Sequence, residues 1–173
     1  MASYTITKDM ARSAANKLAN KKWERVENEL TQREYEYGTI LARKYYPKVV
    51  LDFLAEYSNY TGYITCFYVR YESLSSKRID TGIKLPCAKT EFTVDWDEYK
   101  EVGKIRNAWD ELRNEKDRVR KSLIDEILKL RTYHRVKEQV PELLPFLPEP
   151  EEEKQLPAVD FGNFRAYIKN IIK

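Results

Sequence analysis

The stretch "YITCFYVRYE" at residues 63–72 decides the fold, because hydrophobic periodicity changes there from helical to two. Alternation sends Tyr63, Thr65, Phe67, Val69 and Tyr71 to one face of a strand, and Ile64, Cys66, Tyr68 and Arg70 to the other. Two further alternating runs follow. "RIDTGIKL" sets Ile79, Thr81, Ile83 and Leu85 against Arg78, Asp80 and Lys84, and "TEFTVDW" sets Phe92, Val94 and Trp96 against Glu91, Thr93 and Asp95. Short turn-rich connections make these runs an expected antiparallel meander with one dry face. A sheet this small needs cover.

The cover is helical. Upstream, Ala11, Ala15, Leu18, Trp23, Val26, Leu30, Tyr37 and Leu41 keep to one face of a helix expected over 8–45, roughly 55 Å long. Thr7 suits its N-cap and Asp9 its positive end. Pro47 suits the first turn of a short second helix. Downstream, a helix expected from Asp97 carries Ile105, Trp109, Leu112, Val119, Leu123, Ile127 and Leu130, with a gap in the stripe at Lys116. Asp97 is the expected cap and Asp95 a solvent-face strand residue. Thr132 caps a short helix stopped by Pro141, "PELLPFLP" forms a compact apolar turn, and Asp160 starts a last helix with Phe164, Tyr167, Ile168, Ile171 and Ile172 on its apolar face. The expected architecture is α+β: two long antiparallel helices packed with a small three-stranded antiparallel sheet, followed by short C-terminal helices. It is one domain over 1–173, with a helical arm at 1–59, the β meander at 60–96, and the long helix, proline-rich turn and closing helix at 97–173.

Composition narrows the function classes. The 31 basic and 28 acidic residues give a net charge of +3, too mild for a protein that coats DNA. Cys66 and Cys87 stand far apart, so neither a disulfide framework nor a zinc site is expected. No long apolar run predicts a membrane span, and the N-terminus lacks an apolar signal core. A cytoplasmic protein is expected.

The prolines carry a resemblance. Thr132, Val136, the Pro141–Glu142 pair, "PFLP" at 145–148 and Leu156-Pro157-Ala158-Val159 resemble the C-terminal half of a phage family named nucleotide modification associated domain 5. Thr7-Lys8-Asp9 and the Tyr46-Pro47 stop resemble its N-terminal half. The resemblance implies a phage origin and genomic company with nucleotide-modification genes. It supplies no active-site residues.

Catalytic motifs are missing from the sequence: there is no glycine-rich phosphate loop, no GxSxG and no HExxH. His134 is the one histidine and reads as a surface or capping residue. Asp80, Asp95 and Asp97 would suit Mg²⁺, but strand-face and capping roles explain them more simply. No catalytic residue, metal or cofactor is therefore assigned.

Aromatic and basic residues interleave instead. Tyr63, Tyr68, Arg70, Tyr71, Arg78 and Lys84 form the candidate nucleotide-binding set, because tyrosine rings stack on bases and arginine pairs bidentately with phosphate. The plainer reading makes Tyr63 and Tyr71 core residues and the cations solvated strand residues. "ARKYYPK" at 42–48 and "RTYHR" at 131–135 repeat the pattern, and helix-end chemistry explains both.

Three functions compete. The preferred one is a non-catalytic phage protein that sequesters a nucleotide signal of host immunity, in a pocket completed by homo-oligomerisation. The others are an accessory role in phage nucleotide or DNA modification, and a helical-hairpin module for a host protein. The expected partner is a small nucleotide; a longer nucleic acid is less favoured, and no membrane is expected.

Overall fold

The computed structural model describes residues 4–56, 63–86 and 91–148. The expected last helix with Phe164, Tyr167, Ile168, Ile171 and Ile172, the Leu156–Val159 motif and Cys87 lie outside the described residues.

Helix α1 spans Lys8–Tyr45. Thr7 Oγ1 accepts from the Met10 amide at 3.2 Å, which satisfies one orphan donor of the first turn. Arg43 and Lys44 sit in the last turn, where cations complement the helix dipole. Helix α2 spans Lys48–Glu56, starting directly after Pro47. Helix α3 spans Trp96–Leu130 and runs antiparallel to α1: Lys44 meets Glu98, Glu34 meets Arg106, Glu27 meets Lys116, and Ala11 shares a core with Ile127. Helix α4 spans Tyr133–Gln139, capped by Thr132 as expected.

The sheet corrects one expectation. β1 (Tyr63–Arg70), β2 (Lys77–Pro86) and β3 (Glu91–Thr93) lie in the order β2-β1-β3. β1 and β2 are antiparallel, but β3 is parallel to β1, with Tyr68 opposite Glu91 and Arg70 opposite Thr93. The sheet is mixed and is not a meander. The reason is that α1 already occupies the far side of β2. Glu34 Oε1 accepts the Asp80 amide at 2.9 Å, and Gly38 lies against the Asp80 carbonyl. A third strand therefore pairs on the free side of β1, and Val94 extends it by donating to the Arg70 carbonyl at 2.8 Å.

A β-bulge makes a second correction. Ile64 pairs with Leu85 and Cys66 with Asp80, so β2 carries extra residues between these pairs. The alternation of β1 slips there: Ile64 packs on the core and Thr65 is exposed, while Phe67 and Val69 are buried as expected. Ile79, Thr81 and Leu85 of β2 face inward as expected.

The start of α3 makes a third. The cap is Asp95, not Asp97: its Oδ1 accepts the Glu98 amide at 2.9 Å, and Glu98 Oε2 accepts the Asp95 amide at 3.2 Å. Trp96 is thus a first-turn helical residue, 46% exposed, and no longer an inward strand residue.

Three apolar clusters line the molecule. One, around Phe67, Val69, Ile79, Val102 and Ile105, joins the sheet to both long helices. The second, Ala19, Trp23 and Leu112, lies between α1 and α3. The third holds Ala11, Ala14, Ala15, Ile127, Tyr133 and Val136 together with Leu143 and Leu147 of the proline-rich segment. That segment is a 3-10 helix, Pro141–Phe146, which docks its leucines as expected. The Tyr133 hydroxyl donates to the Pro148 carbonyl, fixing the end of the turn.

Between the first two clusters sits a buried carboxylate. Glu34 is 3% exposed. Its Oε1 accepts the Asp80 amide and forms an ion pair with the Arg106 guanidinium, and its Oε2 accepts the Trp109 indole N–H at 2.7 Å. A buried ion is tolerated only when its lone pairs are met, and removing one partner strands the others. Glu34→Ala should therefore cost about 3–5 kcal/mol in urea unfolding. A loss below 1 kcal/mol would show that the cluster is solvated in solution. Gly38→Ala places a Cβ 2.2 Å from the Asp80 carbonyl oxygen, which is backbone and cannot swing away. We expect a loss of about 1–3 kcal/mol or more in the same assay.

Candidate functional site

The register of β1 and β2 decides which sequence-selected residues meet. Tyr68 stands directly opposite Arg78, and Cys66 opposite Asp80, so these side chains share the outer face. Arg70 joins them two residues along β1, with Glu91 and Thr93 beside it on β3. Tyr68 is 41% exposed. On this sheet surface it is flanked by Arg78 on β2 and Glu91 on β3, with Arg70 two residues along its own strand.

Carboxylates hold both arginines. The Arg78 Nε donates to Asp80 Oδ1 at 3.0 Å and a terminal nitrogen reaches the same oxygen at 2.9 Å. This bond, then the Asp80 charge, raises the Arg78 pKa further above its usual value. Arg70 Nε lies 3.3 Å from Glu91 Oε1, which also accepts from the Ser76 hydroxyl at 2.7 Å. Both ion pairs are exposed, and exposed pairs are held weakly enough for a competing anion to replace them.

The rest of the set does not converge on Tyr68. Tyr71 belongs to a separate ring cluster, 5.2 Å from Trp96 and 6.3 Å from Tyr99 between centroids. Its phenol pKa is raised by the hydrogen bond and charge of Glu72, which adopts a left-handed backbone with φ of 48°. Lys84 is exposed but lies in the bulge, off the register that aligns Tyr68 with Arg78. Tyr63 occupies the far end of β1 opposite Pro86.

The two other aromatic-basic stretches are structural. In the first, Lys44 Nζ reaches Glu98 Oε1 at 2.5 Å and Asp95 Oδ2 at 3.5 Å, while the Tyr45 hydroxyl donates to Glu98 Oε2 at 2.6 Å. These contacts lock the end of α1 to the start of α3. Burial and then the Glu98 bond push the Tyr45 phenol up to about 12. In the second, Tyr133 is buried, and His134 forms an exposed pair with Glu138 at 3.2 Å on its own helix, the surface role expected of it.

Sequence reasoning passed over Trp96, with its exposed indole, and the Glu34–Arg106–Trp109 cluster. Glu34 carried a signal: it continues the stripe Leu30, Glu34, Gly38, Leu41 at spacings of four, four and three, where an apolar residue is expected. Among the described residues no group of three or more His, Cys, Asp or Glu is arranged to hold a metal ion, and no helix is long and apolar enough to cross a membrane.

Fold and surface define an α+β protein with a helical hairpin bracing a small mixed sheet, whose outer face carries an exposed tyrosine with ion-paired arginines near it. Residues 4–169 match the family described as nucleotide modification associated domain 5, and the chain belongs to that family. No curated protein and no solved structure matches it.

The Asp95 cap carries a pH dependence. The Glu98 amide, chiefly, and Lys44 lower its pKa below the usual 3.8. A depressed carboxylate stabilises the fold above its unfolded pKa, and the effect is lost as pH falls through the folded value. Asp95→Asn keeps a capping oxygen but cannot titrate. Its melting temperature should therefore fall less steeply than that of the unsubstituted protein below about pH 4; parallel acid profiles would deny Asp95 this role.

Proposed function

We propose that the outer sheet face binds a small nucleotide without turning it over, and that the protein thereby sequesters a nucleotide signal of host immunity in the cytoplasm of a phage-infected cell. The observation that carries this reading is the cross-strand set of Tyr68, Arg70 and Arg78. An exposed ring offers a stacking surface, and flanking guanidiniums offer bidentate phosphate contacts. Lys84 is exposed on β2 and stands as an outlying member, while Tyr71 packs in its separate ring cluster and Tyr63 is kept in the candidate set by its residue type alone. The open face is closed, in this reading, by a second copy of the chain, which makes the binding unit a homo-oligomer. Membership of a family associated with nucleotide modification supports a nucleotide ligand. The same membership supports the second reading, an accessory role in phage nucleotide or DNA modification.

A thermal-shift screen of linear and cyclic nucleotides separates these readings. A ligand at about 100 times its Kd adds about 2.7 kcal/mol, a rise of roughly 5–10 °C for a chain of this size. Ligand recovered after denaturation should be chemically unchanged; a converted product supports the accessory role. Arg70→Ala with Arg78→Ala should abolish the shift while leaving the unliganded melting temperature within about 2 °C, since exposed ion pairs contribute little. No shift with any nucleotide, together with capture of a defined host protein, would favour the helical hairpin as the functional surface.

A further inference from the structure

The seam between α1 and α3 opens into a concave site separate from the sheet. Its volume is about 290 Å³. Arg113, Lys116, Asp117 and Arg120 line it from α3, and Asn16, Asn20 and Glu27 from α1. Spacings of three and four on α3, and of four on α1, turn each set toward one side of its helix. Ala19 forms part of the lining and fills little of the space above it.

The gap that Lys116 makes in the α3 stripe becomes intelligible here. Lys116 Nζ reaches Glu27 Oε1 at 2.5 Å across the seam, and both side chains are partly sheltered. This pair sets a polar layer between the helices and uses the Lys116 charge. The two arginines are committed less firmly. Arg120 pairs with Asp117 at 2.9 Å and Arg113 with Asp110 at 3.6 Å, each within its own helix and well exposed. Such pairs are weak and readily exchanged. Arg113 also lies 6.0 Å from the centre of the Trp109 ring, which orients its guanidinium.

The groove lining sets three cations, Arg113, Lys116 and Arg120, against two carboxylates, Glu27 and Asp117. Arg106 precedes Arg113 by two turns. Its pKa is lowered first by burial and then by the Arg113 charge, with Asp110 acting in the opposite direction. Neither Nε nor Nη2 of Arg106 has a hydrogen-bond partner among the described residues, so its contact with Glu34 is ionic.

We infer that this groove binds a compact phosphate anion, pyrophosphate or the polyphosphate tail of a nucleotide. Arg113 and Arg120 grip the phosphate oxygens in place of their helical carboxylates, and the Asn16 and Asn20 amides donate from the opposite wall. The size of the groove and its polar lining suit phosphate groups better than a stacked base, since no ring lines it. The site shares no residue with the outer sheet face and stands whether or not that face binds a nucleotide.

Isothermal titration and thermal shift with pyrophosphate, ATP and adenosine test the assignment. Pyrophosphate should bind and stabilise the protein, and the binding should weaken with added salt. Adenosine should leave the groove unoccupied, and a groove response to ATP should mark the polyphosphate tail as a ligand. Arg113→Gln and Arg120→Gln should each weaken pyrophosphate binding roughly ten-fold, as loss of a charged hydrogen bond does. Arg70→Ala with Arg78→Ala should leave it unchanged, which separates this site from the sheet face. Both groove arginines are exposed, so the glutamine variants should fold normally. Independently, the side-chain amide resonances of Asn16 and Asn20 should shift on titration with pyrophosphate. Absence of pyrophosphate binding, or binding lost with the sheet variants and kept by the glutamine variants, overturns the inference.

Discussion

The buried Glu34 carboxylate holds the architecture in place. It sits on α1, accepts a backbone amide from β2 and the Trp109 indole N–H from α3, and pairs ionically with the Arg106 guanidinium of α3. Moving a carboxylate out of water is costly, and only several well-placed donors offset that cost. The arrangement is therefore selective: it is favourable only when all three elements are in register. Gly38, one turn further along α1, lets the helix approach the same β2 backbone closely. Together they explain why α1 lies along β2 and why β3 adds to the other side of β1.

That frame decides which side chains are spent on structure. Tyr45, Tyr46 and Phe92 form a ring cluster at the junction of α1 and the sheet, and Tyr4 packs edge-on against Tyr133 at the opposite end. Among the described residues these tyrosines are thus spent on packing. Tyr68 is different, because its neighbours across the strands are arginines and carboxylates and its ring faces solvent. The helical seam has the same character on a smaller scale: a sheltered Lys116–Glu27 pair sets the layer, and exposed arginines border the opening beside it. In both places a rigid apolar base presents cations whose own partners are weak.

Much of this organisation is legible in the residues. Periodicity marks both long helices, Thr7 and Thr132 mark helix starts, and the leucines among the prolines mark a docking turn. Local rules suffice there because the interactions are local. They fail where a distant element intervenes. Strand alternation does not reveal that Glu34 closes one side of β2, so it does not reveal the parallel β3. Nor does it reveal the bulge that turns Thr65 outward. Asp95 and Asp97 both fit a cap, and only the Glu98 geometry separates them. For the candidate site, residue types single out Tyr68, Arg70 and Arg78. Their meeting depends on the register of β1 and β2, and the departure of Tyr71 depends on Trp96 entering α3.

Hydrogen exchange measured by NMR reaches the Glu34 junction directly. If the carboxylate binds β2 to the helical pair, the Asp80 amide and the Trp109 indole proton open only with the whole fold and rank among the slowest-exchanging in the protein. Exchange of either proton at the rate of exposed turn residues such as Ser75 would contradict the account, because the three elements would then be held together by something other than Glu34.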